Sequence, residues 1–318
     1  MNINQKTRIA VAGIGGIGGY IGGMLAHHFQ YSEHVEILFI SRGENQKVID
    51  QQGLTLHSGD QTFVCIPSVN SNDPAIIGQI DALVICTKSY STTAILKDYA
   101  SCLRPNAVII TTQNTVNGEA TIADFLPQGI TLLEGCIFIA SNIQQAGTIV
   151  HKPGPTKLFF GTNNQASKQG EELEKLFKEA GIDTTFTQNI QEILWKKFLF
   201  VSPIAMVSAL TQKTFSQILE NESDLNLFIQ LTTELVHLAH VKQIPLDENA
   251  IKNNVELLGK FNPTVKSSFQ LDLAKGHLSE IDSLLTYVIK EAESHALKLP
   301  HYEKVYQELQ EKYPHIKA

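Results

Sequence analysis

The sequence predicts an α/β fold: a doubly wound parallel sheet in the N-terminal part, joined to a second, all-helical C-terminal domain. Three observations lead there. Strand-like apolar runs alternate with helical segments from Arg8 to Thr112. A glycine-rich turn separates the first of those strands from the first helix. From about Gln188 onward only helical periodicity remains.

Taken in order, Arg8–Gly13 (RIAVAG) reads as a strand and Ile17–Phe29 as a helix. Val35–Ser41 (VEILFIS) is a second strand, followed by a helix near Glu44–Gln52. Asp81–Thr87 (DALVICT) is a further strand, nearly all apolar, as a strand covered on both faces should be. A helix over about Ser91–Leu103 and a strand at Ala107–Thr112 (AVIITT) continue the alternation. Between Leu132 and Gly161 the pattern turns to β runs, LLEGCIFIASNI, GTIVHK and TKLFFG, expected as added strands at the sheet's edge. A helix near Gly170–Ala180 and a short run at Thr184–Phe186 finish this domain, so residues 1–188 are assigned to it and 189–318 to the next. Helices over Ile190–Leu210, Glu222–Lys242, Asp247–Leu258, Ser279–His295 and His301–Lys312 fill the second domain.

Composition narrows the class of function. The chain has 318 residues, enough for two domains with a core each. A formal net charge of −7 argues against nucleic acid as a partner, which asks for a basic face. The four cysteines, Cys65, Cys86, Cys102 and Cys136, show no CxxC spacing. Neither zinc nor a redox pair is signalled, and a reducing, cytoplasmic setting is expected. The polar start MNINQKTR does not read as a signal peptide. The longest uncharged apolar stretch, between Lys197 and Gln212, is shorter than the ~18–20 residues of a membrane span and contains Pro203. It reads as a core helix, and no membrane association is expected. His237 and His240 share a helix face at i,i+3, but no third ligand joins them, so no metal is expected.

Gly13-Ile14-Gly15-Gly16-Ile17-Gly18 fits GxGxxG. In a chain with 21 glycines the pattern alone says little; directly after a strand and opening a helix, it marks a phosphate-binding turn. Gly13 permits the tight turn, Gly15 lets the backbone approach a pyrophosphate, and Gly18 lets helix and strand pack closely. The helix N-terminus offers free N–H groups and a partial positive charge. The first domain is therefore expected to be Rossmann-like and to bind a dinucleotide. At the end of the second strand an NAD enzyme places an acid on the ribose 2′-hydroxyl. Here Ser41-Arg42 stand there, a hydroxyl and a guanidinium suited to the 2′-phosphate of NADP. Glu36 lies too far back for that role. The competing reading leaves Arg42 as a solvated loop residue.

The spacing further along, from Gly13 to Asp282, resembles the ketopantoate reductase family. Lys88 follows the strand at Asp81–Thr87, where the family has a lysine beside the cofactor. Gln113-Asn114 follows the next strand and is similar to the family's asparagine that touches nicotinamide and substrate. Leu194-Trp195-Lys196-Lys197-Phe198 resembles its Trp-x-Lys-Leu/Phe signature, whose lysine is the proton donor. Ser267-Ser268-Phe269-Gln270-Leu271-Asp272, then Glu280-Ile281-Asp282, resembles its Ser-Ser-x-x-x-Asp and Glu-x-Asp segment.

The resemblance implies a fold of the 6-phosphogluconate-dehydrogenase-like type and NADPH-dependent reduction of a 2-oxo acid, ketopantoate to pantoate. It implies Lys197 as proton donor and Glu280 as a contact to the cofactor ribose and the active-site network. It implies Ser268 as the substrate carboxylate anchor, Asp272 as support, and Lys88 and Asn114 at cofactor and substrate. It leaves a homodimer open. Neighbouring lysines on a helix point about 100° apart, so only one of Lys196 and Lys197 can face the cleft, and Lys196 is the solvated one. Without the resemblance, both lysines would read as surface residues, Asp272 as a member of a helix ion pair and Ser268 as a helix cap. Three departures bear on substrate. The family's Asn-Gly is displaced, since Asn114 precedes Thr115 and Asn117-Gly118 comes later. Two asparagine positions past the lysine are Val201 and Ala205, and a polar position before the serine is Val265. Two other classes stay open: a different β-hydroxyacid-type dehydrogenase and a non-catalytic NADP sensor.

Overall fold

The structure is a computed structural model and describes residues 6–314. The chain divides into two compact units: residues up to Gln113 with Asn117–Ile190, and Asn114–Val116 with the residues from Gln191 on.

The first unit carries strands β1 (Thr7–Ala12), β2 (Val35–Ile40), β3 (Leu54–Ser58), β4 (Gln61–Cys65), β5 (Val69–Asn70), β6 (Ile80–Ile85), β7 (Leu103–Thr111), β8 (Thr131–Phe138), β9 (Ser141–Gln145), β10 (Thr148–His151), β11 (Lys157–Gly161) and β12 (Thr184–Thr187). Its helices are α1 (Gly16–Phe29), α2 (Gly43–Gln52), α3 (Pro74–Ile77), α4 (Thr92–Tyr99), α5 (Gly118–Ile122) and α6 (Lys168–Glu179). Eight strands form one sheet in the order β12-β11-β8-β7-β6-β1-β2-β5, parallel except where β11 meets β8. Its central strands are apolar on both faces because both are covered. Ile9 and Val11 enter one core, with Ile21 and Leu25 of α1, while Ala10 and Ala12 enter the other, with Leu96 and Tyr99 of α4.

β9 and β10, expected at this sheet's edge, belong instead to a second sheet of order β4-β3-β10-β9. The reason lies in their one-sided pattern. Leu54, Leu56, Cys65 and Ile149 pack on α1, whose Gly19 and Gly23 leave room for them, whereas β9 and most of β4 are exposed or half-exposed. Strands apolar on one face only cannot sit in a sheet covered on both.

The second unit is helical: α7 (Ile190–Thr211), α8 (Phe215–Glu220), α9 (Glu222–Val241), α10 (Ala250–Leu258), α11 (Ser268–Ala274), a π-helical turn at Asp282–Thr286, α12 (Tyr287–Ser294) and α13 (Pro300–Lys312). α7 is long and apolar enough to cross a membrane, but 72% of its apolar window is buried inside the protein, as in a core helix. Pro203 lies inside it and lacks the N–H that would serve the Leu199 carbonyl. The Asn254 amide of α10 donates to that carbonyl at 3.0 Å, so the break in the helix ladder is filled by a side chain. The buried Glu234 of α9 accepts from the backbone N–H groups of His301 and Tyr302, at 2.9 and 3.0 Å, and so caps the start of α13.

Candidate active site

The glycine turn follows β1 and enters α1 with Gly13 at φ +89, a conformation that favours glycine. A Cβ on Gly18 would stand 2.2 Å from the Gly13 carbonyl oxygen, so helix and turn touch only because it is absent. Gly15 differs: nothing lies within 4 Å of where its Cβ would be, and that open space faces a helix start with no acid in its first turn. This cradle of free N–H groups fits the pyrophosphate of a dinucleotide. Gly16 has another cause. Its missing side chain makes way for the Ser141 carbonyl of β9, and Ser141 Oγ donates to the Gly16 carbonyl at 2.9 Å. Ile14 is buried and Ile17 half-buried, both packed in the core around α1.

Asn45, not singled out from the sequence, fixes this turn from α2. Its Nδ2 donates to the Ile14 carbonyl at 2.9 Å and its Oδ1 accepts from the Gly147 N–H at 2.7 Å. Arg42 precedes α2 and is exposed; its carbonyl accepts from the Gln46 N–H at 3.4 Å, while its guanidinium makes no hydrogen bond or ion pair with a described residue. Ser41 is otherwise engaged: buried, it donates to Asn70 Oδ1 at 2.6 Å, and Asn70 in turn donates to Asp50 and the Gln46 carbonyl. While that bond holds, the donors at the strand end are Arg42 and the backbone N–H groups of α2, not the Ser41 hydroxyl. Glu36 pairs with Arg8 and Lys6; burial would raise its carboxyl, but these partners hold it below its ordinary value.

Lys88 is half-buried in the loop after β6. Beside it, Thr87 packs its methyl against Gly13. Gln113 closes the end of β7 onto this loop, donating to the Thr87 carbonyl at 3.2 Å and to Thr92 Oγ1 at 3.0 Å. Asn114 comes next; its Oδ1 is buried with no hydrogen-bond partner among the described residues. The thiol of Cys86, just after β6, is pushed up to about 12 by burial.

In the second unit Lys196 is exposed and paired with Glu192 at 2.5 Å, one turn back, while Lys197 is half-buried. Val201, Ala205 and Ser208 follow Lys197 along one stripe of α7, at four, eight and eleven residues. Ser208 Oγ lies 2.7 Å from Ser267 Oγ, which ties the end of that stripe to the start of α11. Ser267 is the cap of α11, accepting from the Gln270 N–H at 3.1 Å. The Ser268 side chain is exposed and makes no hydrogen bond to a described residue. Asp272 is half-buried one turn on, and Val265 half-buried just before α11. Glu280 is buried, 7% exposed, and separated from the π turn by Ile281 alone. Gln270, on the opposite side of α11 from Ser268, is 1% exposed with neither amide atom partnered among the described residues.

The first unit thus carries a turn shaped for a dinucleotide phosphate, and the second carries a half-buried lysine, Lys197, and a buried carboxylate, Glu280. Sequence profiles of the family described as "Ketopantoate reductase PanE/ApbA" match residues 9–165, and its C-terminal profile matches 189–313; the chain belongs to this family. It is 27% identical to the uncharacterized oxidoreductase YkpB of Bacillus subtilis, over 95% of this chain and 98% of that one. It is 25% identical to the 2-dehydropantoate 2-reductase of Halobacterium salinarum, over 92% of this chain and 94% of the relative. Among solved structures, a D-mandelate dehydrogenase in ternary complex with NADH and anilino(oxo)acetate shares the fold, with a TM-score of 0.85 and 18% identity over 97% of this chain and 99% of that one.

Proposed function

We propose that this protein reduces the ketone of a small 2-oxo acid to the 2-hydroxy acid with NADPH. Ketopantoate, giving pantoate for pantothenate biosynthesis, is the first candidate, as for the Halobacterium salinarum relative. The carrying observation is the half-buried Lys197 in its Trp195-Lys196-Lys197-Phe198 setting, while its neighbour is spent on a surface ion pair. Bound NADPH supplies the hydride to the carbonyl carbon. Lys197 donates the proton to the carbonyl oxygen and stabilises the charge that develops there. Glu280 holds Lys197 with Asp272 in support, the Ser268 hydroxyl anchors the substrate carboxylate, and Lys88 and Asn114 contact substrate and cofactor. The Gly13–Gly18 turn holds the pyrophosphate, and Arg42 selects the 2′-phosphate. Cytoplasmic residence accords with four free thiols.

A second reading concerns the substrate. Val201, Ala205 and Val265 offer no hydrogen bond to the terminal hydroxyl of ketopantoate, and a hydroxyl buried without a partner costs about 1–3 kcal/mol. The apolar positions favour 2-oxo acids with apolar branches; the structural relative's ternary complex holds anilino(oxo)acetate, whose oxo carbon carries an aromatic substituent. The test is kcat/KM for ketopantoate against 2-oxoisovalerate at matched NADPH, within a wider panel of 2-oxo acids. The stripe predicts comparable values or a preference for 2-oxoisovalerate. A preference above about 10³-fold for ketopantoate exceeds what an apolar surface supplies and would refute this reading. No turnover with any 2-oxo acid, alongside tight NADPH binding, would refute the enzymatic proposal itself.

A further inference from the structure

The second unit contains a buried hydroxyl chain that the proposed chemistry leaves unused. Ser202 of α7 is fully buried; its Oγ donates to the Leu284 carbonyl at 2.7 Å and lies 2.8 Å from Tyr302 Oη. A hydroxyl has one proton and a carbonyl only accepts, so Ser202 gives its proton to Leu284 and Tyr302 must donate to Ser202. The direction of the chain is thereby fixed. Tyr302 is itself fully buried, and burial pushes its phenol well above its ordinary value, so it stays a donor. Its position is set by the Glu234 cap on the start of α13. At the other end, Leu284 sits within the π turn, and its N–H donates to the Glu280 carbonyl at 3.0 Å.

A π turn inserts one residue into a helical turn. Relative to plain α-helix, it rotates what precedes it by about 100°, so its persistence decides which way Glu280 faces. Single π turns are rare and concentrate at functional sites. Here the Ser202–Leu284 bond joins the helix that carries Lys197 directly to the turn that follows Glu280.

We propose that Ser202, oriented by Tyr302, is a positioning residue of the reduction: it holds the π turn in place and thereby sets the Glu280 carboxylate. The proposal rests on the reading of Lys197 and Glu280 as the working pair, so its test is a double-mutant cycle that separates the two. Ser202→Ala should lower kcat about 10- to 100-fold while NADPH Kd stays within about twofold. Glu280→Gln should lower kcat on its own. In the Glu280→Gln background, Ser202→Ala should cost less than about twofold, because the group it positions has already been neutralised. An equal cost in both backgrounds marks Ser202 as merely structural and overturns the proposal, as does an unchanged kcat in Ser202→Ala. An unimpaired Glu280→Gln overturns the reading of the pair instead. If Ser202→Ala does not fold, the isosteric Tyr302→Phe carries the same cycle, with an expected kcat loss of about 3- to 10-fold, and equal or absent effects there again overturn the proposal.

Discussion

Asn254→Ala tests the packing argument most sharply, because two independent irregularities meet at one carbonyl. Pro203 leaves Leu199 without its helical donor, and the Asn254 amide, 7% exposed, supplies one at 3.0 Å. Removing it strands a buried carbonyl, which costs about 1–3 kcal/mol. For a unit of this size that is a fall in Tm of roughly 3–10 °C. The single tryptophan, Trp195, is fully buried on the same helix, so its fluorescence during urea unfolding reports on this unit. The decisive comparison is the same substitution in a Pro203→Ala background, where the restored N–H serves Leu199. There Asn254→Ala should cost at least about 1 kcal/mol less, well beyond the ~0.3–0.5 kcal/mol within which independent sites add. Equal costs in the two backgrounds would show that Asn254 does not replace the missing helical bond.

Four further substitutions separate roles that composition alone conflates. Gly15→Ala should leave Tm unchanged, since its Cβ meets open space, yet weaken NADPH binding at least tenfold; Gly18→Ala, 2.2 Å from the Gly13 oxygen, should lower Tm. Unchanged NADPH Kd in Gly15→Ala would mean that the open space is not a phosphate cradle. Arg42→Ala should raise KM for NADPH about 10- to 100-fold, the worth of a charge-assisted contact, with KM for NADH little changed. Equal changes for both cofactors would place Arg42 away from the 2′-phosphate. Gln270→Met should raise stability by about 1–3 kcal/mol, because it replaces a buried amide with no protein partner by an apolar chain of similar size. A fall in Tm would indicate a buried water satisfying that amide.

What the sequence disclosed was what is local. The glycine turn announces itself within six residues, and its strand-before, helix-after context is visible in the same stretch. That Lys196 and Lys197 face different ways follows from helix geometry, whereas the choice of Lys197 as the working one came only from the family resemblance. The β3–β4 hairpin stayed hidden because its strands are short and apolar on one side only, and because its partner β10 lies far along the chain; the Ser58–His151 hydrogen bond spans 93 residues. The commitment of the Ser41 hydroxyl to Asn70 was invisible for the same reason, being a contact across 29 residues. Asn45, Asn254 and the Glu234–Tyr302–Ser202 chain are polar residues whose importance comes from the backbone groups they meet, and no motif encodes such meetings. The π turn after Glu280 is legible only as helical periodicity, since a one-residue insertion leaves the apolar pattern nearly intact.

The central claim is that Lys197 delivers the proton in a ketone reduction. The most direct measurement is single-turnover oxidation of NADPH by Lys197→Ala beside Lys196→Ala, with NADPH Kd determined for both. Lys197→Ala should lower the rate about 10²–10⁴-fold with Kd unchanged, the usual worth of a positioned acid, and Lys196→Ala should match the parent. Equal losses from the two lysines, or a Lys197→Ala variant that still turns over at the parental rate, would contradict it.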